Sequence, residues 1–395
     1  MVVGPFGPAT RRREFLSDPG APLVREHTDR SDLARHFAAF ARSAEHDGSP
    51  VYEQICRGAA TDPELLALTE LAPPDQRRPN ILLAAVHFLL LDGAEHPLAA
   101  HYDTVLDWRR VSGAPPPAKA GGGVFSNFAD FCRHYRAEVA ELVATRATQT
   151  NEVGRCAALR PAFATVAAEH RQPLGLIDLG ASAGLNLLFD HYAYDYGGLR
   201  RIGPPDSPVV LACELREDTV PPLGFPEVVH RAGIDRHPVD PHNEDGSLWL
   251  LACQWPGHLG RFHRMRDALA IARNVSDRPP VETGDIIEDL ARIAAFVPDS
   301  AHLCVYHSWV AAYLSPGRQY ELGQAITALA ADRAVSWVFA ESPYETPGLP
   351  SPPAPKTIKG ATALVLVDLD AGSRRERRLA DMHPHGVWMH WWGGG

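Results

Sequence analysis

The sequence of 395 residues has no paired cysteines, no excess of positive charge and no long apolar run. Its six cysteines are scattered without a C-x-x-C pair, so we expect reduced, buried thiols rather than metal ligands. The formal net charge of −10 argues against a general nucleic-acid or anionic-membrane partner. The longest apolar stretch, Ile81 to Leu91, is too short to span a bilayer, and no secretory signal is predicted. We therefore expect a soluble cytoplasmic protein.

The most informative stretch runs from Leu174 to Asp190 and reads LGLIDLGASAGLNLLFD. An apolar run carries Asp178 near its end, a turn of small residues follows from Gly180 to Gly184, and apolar residues then resume with helical spacing. A strand, a glycine turn and a helix in this order allow close backbone approach to a ligand and direct helix N–H groups towards it. The stretch therefore predicts a site for a nucleotide-like ligand.

Two chemistries are compatible with this turn, and a packing turn without function is the simplest alternative. As G-x-S-x-G, it would carry Ser182 as the nucleophile of a serine hydrolase elbow, with Asp235 and His383 as partners. As D-x-G-x-S-x-G, it resembles the first motif of class I S-adenosylmethionine-dependent methyltransferases, with Ser182 where that family usually has glycine. Asp178 has no role in an elbow and few strands precede the turn, so methyl transfer is favoured. A non-catalytic protein that binds S-adenosylmethionine or a nucleotide is the third possibility.

The pattern of apolar residues divides the chain into three parts. Residues 1–26 are rich in Pro, Gly and Arg and predict an irregular arm. Residues 27–150 predict a helical domain that acts as a lid or shapes the substrate side of a site in the rest. Residues 151–395 predict an α/β domain with a Rossmann-like sheet of the class I methyltransferase type, mostly parallel and of seven strands. Its second and third strands are expected at Val228 to Asp235 and Pro280 to Asp285.

The methyltransferase resemblance implies roles for residues at the strand ends. Asp178 would orient the methionine ammonium, and Asp235 would accept hydrogen bonds from both ribose hydroxyls. Asp285 would lie near the adenine amino group, with Ile286 beside the ring. The expected cofactor is S-adenosylmethionine, and its expected binding residues are Asp178, Gly180, Ser182, Gly184, Asn186, Asp235, Asp285 and Ile286.

Polar residues outside the glycine turn are candidates for the acceptor side of the site. Asn151, Glu152 and Arg155 are three or four residues apart, so a helix would place them on one face. They form either a polar wall at the ligand or a helix cap with a surface ion pair. Tyr306, at the end of the predicted fourth strand, is the further candidate for substrate binding.

Methyl transfer to a hydroxyl or an acid needs a base within hydrogen-bond reach of the acceptor. His307 and Glu341 follow the predicted fourth and fifth strands, beyond which open α/β sheets bind their ligands. His383 and His385, in the sequence HPHG, are the second catalytic group. A His-x-His pair also suits a metal, but no third ligand is fixed by spacing, so no metal site is predicted. For each histidine, a structural hydrogen bond is the alternative.

Three segments together, TNEVGR, DLGASAGLNLLFDHYAYDYG and HPHG, resemble an uncharacterised bacterial family, a domain of unknown function related to the class I methyltransferases. The resemblance covers the chain from about Phe37 onward and implies no established activity. The Asn-Pro-Pro-Tyr loop of amino-methylating members is absent after the fourth strand, where this chain has Tyr306-His307-Ser308-Trp309. We therefore expect a small-molecule acceptor.

Overall fold

The structure is a computed structural model that describes residues 30–118, 121–198, 201–216, 219–356 and 358–393. These residues form two compact units. The helical unit contains the described residues up to Thr150 together with residues 244–263, and the sheet unit contains residues 151–243 and those from Arg264 onward. Residues 244–263 thus belong to the helical unit, although their position in the sequence predicts the Rossmann-like domain. The predicted arm, residues 1–26, lies outside the described residues.

The helices of both units are as follows. The α-helices are α1 Arg30–His46, α2 Pro50–Ala59, α3 Pro63–Thr69, α4 Pro79–Leu91, α5 Asp103–Ser112, α6 Val124–His134, α7 Arg136–Thr145, α8 Cys156–His170, α9 Glu244–Ala252, α10 Leu259–Asn274, α11 Leu290–Ala294 and α12 Pro316–Leu329. Short 3-10 helices are Pro74–Gln76, Pro97–His101, Val153–Arg155, Leu185–His191 and Ala311–Tyr313. Within the described ranges, no helix combines the length and apolar character needed to cross a membrane.

Local sequence explains how the helical unit is built. Asp62 caps α3 by accepting hydrogen bonds from the backbone N–H groups of Glu64 and Leu65, and Pro63 occupies the first turn. Helix α4 is apolar on nearly every face and is buried along nearly its whole length. Its one polar core residue, His87, bonds Thr104 Oγ1 at 2.8 Å. Burial lowers the pKa of His87 to about 4, so its imidazole is neutral.

The strands form one large and one small sheet. They are β1 Leu174–Leu179, β2 Ala193–Asp195, β3 Arg201–Ile202, β4 Val210–Ala212, β5 Glu214–Leu215, β6 Val228–Asp235, β7 Val281–Thr283, β8 His302–Ser308, β9 Val335–Glu341, β10 Thr362–Asp370, β11 Ser373–Met382 and β12 Trp388–Trp391. The large sheet has the order β5-β12-β11-β10-β9-β8-β1-β6-β7, and the small one the order β3-β2-β4.

The centre of the large sheet is parallel and doubly wound. Strands β7, β6, β1, β8 and β9 pair in parallel in that spatial order, which by position in the sequence is third, second, first, fourth, fifth. This is the order of a Rossmann-type sheet, and the direction of winding reverses between β1 and β8. The prediction of a mixed α/β fold with a large, mostly parallel central sheet is confirmed. Both strands predicted before Asp235 and Asp285 belong to it.

The large sheet has nine strands, so the predicted number of seven is wrong. Strands β10 and β11 close the parallel part as an antiparallel pair. Beyond them, β12 pairs with β11, and the two-residue strand β5 pairs with β12. Strands of two and four residues are too short for an alternating apolar pattern to be recognised, which is why sequence reasoning missed both.

The two faces of the sheet bury different side chains, because successive residues of a strand point in opposite directions. On one face, Ile177, Leu179 and Phe339 belong to a large apolar core that includes residues of α11 and α12. On the other face, α8 covers the strands, and the ring of Phe163 lies 4.9 Å from that of Tyr306, centroid to centroid. Asp178 shares the face of Tyr306 because the two residues are partners in register.

Candidate functional site

Strand β1 leads into the glycine turn at the point where the winding of the sheet reverses. Gly180, Ser182 and Gly184 have φ angles of +74°, +54° and +70°, all in the left-handed region. A Cβ atom at Gly180 would lie 2.4 Å from Val310 Cγ2, so only glycine fits there. Ser182 adopts a conformation rare for a residue with a side chain, at the position where the methyltransferase resemblance expects glycine.

The backbone N–H groups of the turn donate largely to acceptors within the protein. The N–H groups of Gly180 and Ala181 donate to the carbonyl of Ile234 at 2.7 and 3.1 Å, and that of Gly184 donates to the carbonyl of Ala181 at 2.7 Å. A 3-10 helix, Leu185–His191, follows the turn instead of an α-helix. The turn is therefore held as a rigid loop against the end of β6.

Two side chains complete this closure. Asp235 Oδ2 accepts a hydrogen bond from the N–H of Ser182 at 2.8 Å, and its Oδ1 accepts one from His237 N–H at 2.8 Å. Asn151 Oδ1 accepts two further N–H groups of the turn, at 3.3 and 3.1 Å. Every backbone N–H from residue 180 to residue 185 thus has an acceptor. The expectation that these groups are directed at a ligand is therefore wrong, because each of them donates to an acceptor of the chain itself.

Asp178 and Tyr306 are buried beside each other, 3% and 0% exposed. Asp178 Oδ2 and the Tyr306 hydroxyl have no hydrogen-bond partner within the described part of the chain. Burial raises the pKa of Asp178 well above its usual range; the adjacent Tyr306 hydroxyl opposes this shift, and the nearby carboxylate of Asp235 reinforces it. Because buried polar groups are normally paired, this pair is a place where a ligand group can supply the missing contact.

Asp285, just after β7, is held by ion pairs. Its Oδ2 accepts from Arg236 at 2.8 Å, and its Oδ1 accepts from Arg318 at 3.0 Å and from the N–H of Ile287 at 2.9 Å. Although burial opposes it, the contact with Arg236 holds the pKa of Asp285 below its usual range. Ile286 is 8% exposed and belongs to the apolar core. Both residues therefore have structural contacts, and their role at an adenine ring stays a prediction.

His307 and Glu341 form a buried pair on the opposite face from Tyr306. His307 Nδ1 donates to Glu341 Oε1 at 2.7 Å, and the same oxygen accepts two backbone N–H groups of the segment after β8, at 2.9 and 3.2 Å. The imidazole stacks on the Phe339 ring with 5.5 Å between centroids. The structure thus separates these two predicted bases from Tyr306, since neighbouring residues of a strand face opposite ways. Their contacts fix the segment whose Val310 packs on Gly180.

The segments TNEVGR and HPHG pack directly on each other. The guanidinium of Arg155, which is 3% exposed, donates to the carbonyl of Pro384 at 2.9 Å and to that of Ser308 at 3.0 Å. A Cβ atom at Gly386, whose φ is +72°, would lie 2.0 Å from the carbonyl oxygen of Gly154. Such close backbone contact requires glycine.

Glu152 joins the same cluster. Its Oε1 accepts the N–H of Gly154 at 3.1 Å, and its Oε2 lies 3.4 Å from His385 Nδ1. His385 in turn donates its N–H to His383 Nδ1 at 3.1 Å. Together with the bonds from Asn151 to the glycine turn, these contacts bring the first segment, the turn and HPHG to one place. No set of three His, Cys, Asp or Glu side chains suited to a metal occurs among the described residues.

Some residues of this place were not found from the sequence. Cys156, the first residue of α8, donates its thiol to Asn186 Oδ1 at 3.3 Å, and both are buried. Arg231 on β6 binds Asp190 through two parallel hydrogen bonds of 2.7 and 2.6 Å. Val310, which closes on Gly180, gives no signal in the sequence. Asp190 and Arg231 are of complementary charge, but only the pairing of β6 with β1 places them together.

Comparison with known proteins gives a family. The profile described as "Uncharacterized protein conserved in bacteria (DUF2332)" matches residues 34–391. No curated protein matches the chain. Among solved structures, the sugar N-methyltransferase KedS8 from Streptoalloteichus sp ATCC 53650 is similar over 67% of this chain and 81% of its own, with 14% sequence identity and a TM-score of 0.22. That TM-score is too low to bear on activity. The profile spans most of the chain, so the resemblance to an uncharacterised bacterial family is confirmed, and the chain belongs to the DUF2332 family.

Proposed function

We propose that the protein is an S-adenosylmethionine-dependent methyltransferase that acts on a small-molecule acceptor. The observation that carries the proposal is the position of the glycine turn, which follows the first strand where a Rossmann-ordered sheet reverses direction. Ligands of open α/β sheets bind beyond the carboxyl ends of the strands at this point. Acids lie at or just beyond the carboxyl ends of three adjacent strands there, at Asp178, Asp235 and Asp285.

The charges and lone pairs of these acids fit the proposed cofactor. The cofactor carries an ammonium and a sulfonium and, when bound, supplies the methyl group. Asp178, buried and with Oδ2 unpartnered, suits a cationic group. Each oxygen of Asp235 accepts one backbone hydrogen bond and can accept another, which suits the ribose diol. The left-handed conformations of Gly180 and Gly184 favour glycine at these two positions of the turn.

On the acceptor side, the four predicted bases are not equally supported. His383 and His385 share a packed cluster with Glu152 and Arg155 beside the glycine turn, so they are the better candidates to take a proton from an acceptor. Asn151 holds the turn, and its role is one of positioning. His307 and Glu341 are completely buried and bonded to each other, which favours a structural role.

Calorimetric titration with S-adenosylmethionine and with S-adenosylhomocysteine tests the proposal. We expect micromolar binding of at least one ligand. Ser182→Gly should retain it, because glycine accepts the φ of +54°, whereas Ser182→Leu should abolish it by filling the space above the turn. Absence of heat with both ligands, at concentrations well above micromolar, would overturn the cofactor assignment. Binding without any transfer to acceptors would favour the non-catalytic alternative.

The serine hydrolase alternative has one observation in its favour, since a strained backbone at Ser182 is also what a nucleophile elbow requires. Two observations oppose it. Within the described residues, only helices and loops precede β1, whereas a hydrolase sheet needs strands before its elbow. Asp235, the proposed triad acid, is bonded to the N–H of Ser182 itself. A fluorophosphonate probe decides between them: we expect no labelling, and labelling at Ser182 would replace methyl transfer by hydrolysis.

A further inference from the structure

We propose that Asp178 and Tyr306 form a proton-coupled cation subsite, in which the arrival of the ligand's cationic group releases one proton from Asp178. This inference rests on the proposed function. It concerns how the same site chooses its ligand, and it names the ligand class as a nucleoside that bears a positively charged side chain.

The geometry supplies the two halves of the subsite. Asp178 lies at the carboxyl end of β1, one residue before the last residue of the strand, and Tyr306 is its partner in register on β8. Both side chains are more than nine-tenths buried. Asp178 Oδ2 and the Tyr306 hydroxyl are among the buried polar atoms without a hydrogen-bond partner. The two side chains are therefore already in place, but their hydrogen bonds are incomplete.

Among the residues that the structure describes, no cation is placed to neutralise an ionised Asp178. The titratable groups that face it are Tyr306 from β8, Asp235 from the end of β6 and Cys156 from α8, and none of these is a cation. Arg231 on β6, whose charge influences Tyr306, binds Asp190 through two hydrogen bonds. Arg155, which influences Cys156, is bonded to the carbonyls of Pro384 and Ser308. An ionised Asp178 would thus be a buried charge without a counterion.

Without a cation beside it, the buried carboxyl group of Asp178 therefore favours the neutral acid form. This agrees with the raised pKa of its carboxyl, whose main cause is burial. When a cationic group enters, the carboxylate becomes the favoured form because it now has a counterion. The O–H bond of Asp178 breaks, its electron pair stays on the carboxylate, and the proton leaves to buffer. The charge of the subsite with its ligand is balanced at each stage.

The coupling makes the subsite selective for charge. A neutral nucleoside that fits the turn would meet the protonated Asp178 without displacing its proton. A ligand with an ammonium or sulfonium gains the ion pair, and gains more as the pH rises. Below the pKa of Asp178 in the empty site, affinity should rise tenfold for each unit of pH.

Calorimetry in buffers of different ionisation enthalpy, such as phosphate and Tris at pH 7, measures the released proton directly. The ligands are S-adenosylmethionine, S-adenosylhomocysteine and, as the neutral control, methylthioadenosine. We expect close to one proton released with each of the first two and none with the third. Asp178→Asn, which has nearly the same shape, should bind the charged ligands without proton release and with an affinity independent of pH. Asp368→Asn removes a carboxylate at the other end of the sheet and should release the proton as the unsubstituted protein does.

The outcomes separate this inference from the proposed function. Absence of heat with every ligand would overturn the proposed function and the subsite with it. Binding with equal heat in all buffers would overturn only the proton coupling. Release of one proton by Asp178→Asn would assign the proton to another group. If Asp178→Asn does not bind measurably, the affinity of the unsubstituted protein between pH 6 and 8 decides: a tenfold rise per unit of pH supports the subsite, and constant affinity overturns it.

Discussion

Buried polar groups at the two ends of the central strands differ in whether they have hydrogen-bond partners. At the carboxyl end, Asp178 Oδ2 and the Tyr306 hydroxyl have no partner within the described structure. At the amino end, His302 Nε2 lies 2.9 Å from Ser336 Oγ, which in turn donates to Asp368 Oδ1 at 2.7 Å. Both sets lie in one sheet; Asp178, Tyr306, His302 and Ser336 are buried, and Asp368 is half-buried. A satisfied network stabilises the fold, whereas an unsatisfied one lowers stability unless a ligand completes it.

The amino-end network continues on both sides of Ser336. The imidazole of His170 stacks on that of His302, with 3.6 Å between ring centroids. Arg377 donates to Asp368 at 2.9 Å and to Glu169 at 2.6 Å. Arg377 Nε is buried and has no hydrogen-bond partner among the described residues. The proposed function thus assigns ligand binding to the carboxyl end and stability to the amino end, a contrast that substitutions at each end can test.

The largest effect on stability is expected from a comparison of two glycines that both have a positive φ but differ in what surrounds them. Gly386→Ala, at the carboxyl end, places a Cβ 2.0 Å from the carbonyl oxygen of Gly154 and should lower the free energy of unfolding by about 3 kcal/mol or more. Gly372→Ala, in the β10–β11 turn, has φ of +88° but nothing within 4 Å, so only backbone strain of about 1 kcal/mol is expected. Urea unfolding of both variants measures the difference. Equal losses of stability in the two variants would show that the close contact between the TNEVGR and HPHG segments is not needed.

The second effect is a loss of stability in mild acid that depends on His302. Burial lowers its pKa to about 4, so the folded protein holds a neutral imidazole that the unfolded chain protonates near pH 6.5. The contribution is complete above pH 6.5 and is lost as the pH falls from there towards 4, by about 3 kcal/mol. His302→Gln should flatten this part of the pH dependence in urea unfolding. His87 in the helical unit has the same low pKa and is present in the unsubstituted protein and in His302→Gln, so its contribution to the pH dependence is the internal control. An unchanged slope would contradict the role of His302.

The third effect is carried by Asp368. Although burial opposes it, hydrogen bonds from His170 and Ser336, with the guanidinium of Arg377, lower its pKa to about 2. The carboxylate therefore contributes stability above pH 3.8 that is lost as the pH falls towards 2, about 2 kcal/mol in all. Asp368→Asn should lose that amount at pH 7, measured by urea unfolding. A variant as stable as the unsubstituted protein would mean that the amino-end network is not stabilising.

The smallest effect is expected at Ser182. Ser182→Gly relieves the left-handed strain but adds freedom to the unfolded chain, so the two contributions nearly cancel and stability should change by less than about 1 kcal/mol. Thermal unfolding measures it. A loss of several kcal/mol would show that the hydroxyl holds the turn, and would remove Ser182 from the residues that only permit close approach.

The sequence predicted the parallel strands β1, β8 and β9 well because each is a buried and largely apolar run with a polar residue at or near its end. Strands β1, β6, β8 and β9 lie where the pattern placed them, and the glycine turn lies between the expected strand and helix. The separation of Tyr306 from His307 could also have been predicted, because neighbouring residues of a strand face opposite sides of the sheet. The prediction that Tyr306 and His307 both belong to the acceptor side of one site did not take this alternation into account.

Other features depend on contacts between distant segments and leave no local pattern. Nothing in the spacing of Asn151 indicates that its side chain closes a turn some thirty residues later. The contact of Gly154 with Gly386 joins segments over two hundred residues apart, although a glycine in each motif was a hint. Residues 244–263 lie between two strands of the large sheet in the sequence, so only packing assigns them to the helical unit.

The most direct test of the contrast between the two ends is to titrate Asp178→Asn and Asp368→Asn with S-adenosylmethionine at pH 8 and to measure the urea unfolding of both. We expect Asp178→Asn to keep its stability and to bind at least tenfold more weakly than the unsubstituted protein, because the buried cation partner is lost. Asp368→Asn should bind normally and be less stable by about 2 kcal/mol. Equal affinities in the two variants, or a loss of stability confined to Asp178→Asn, would contradict the assignment of binding to the carboxyl end.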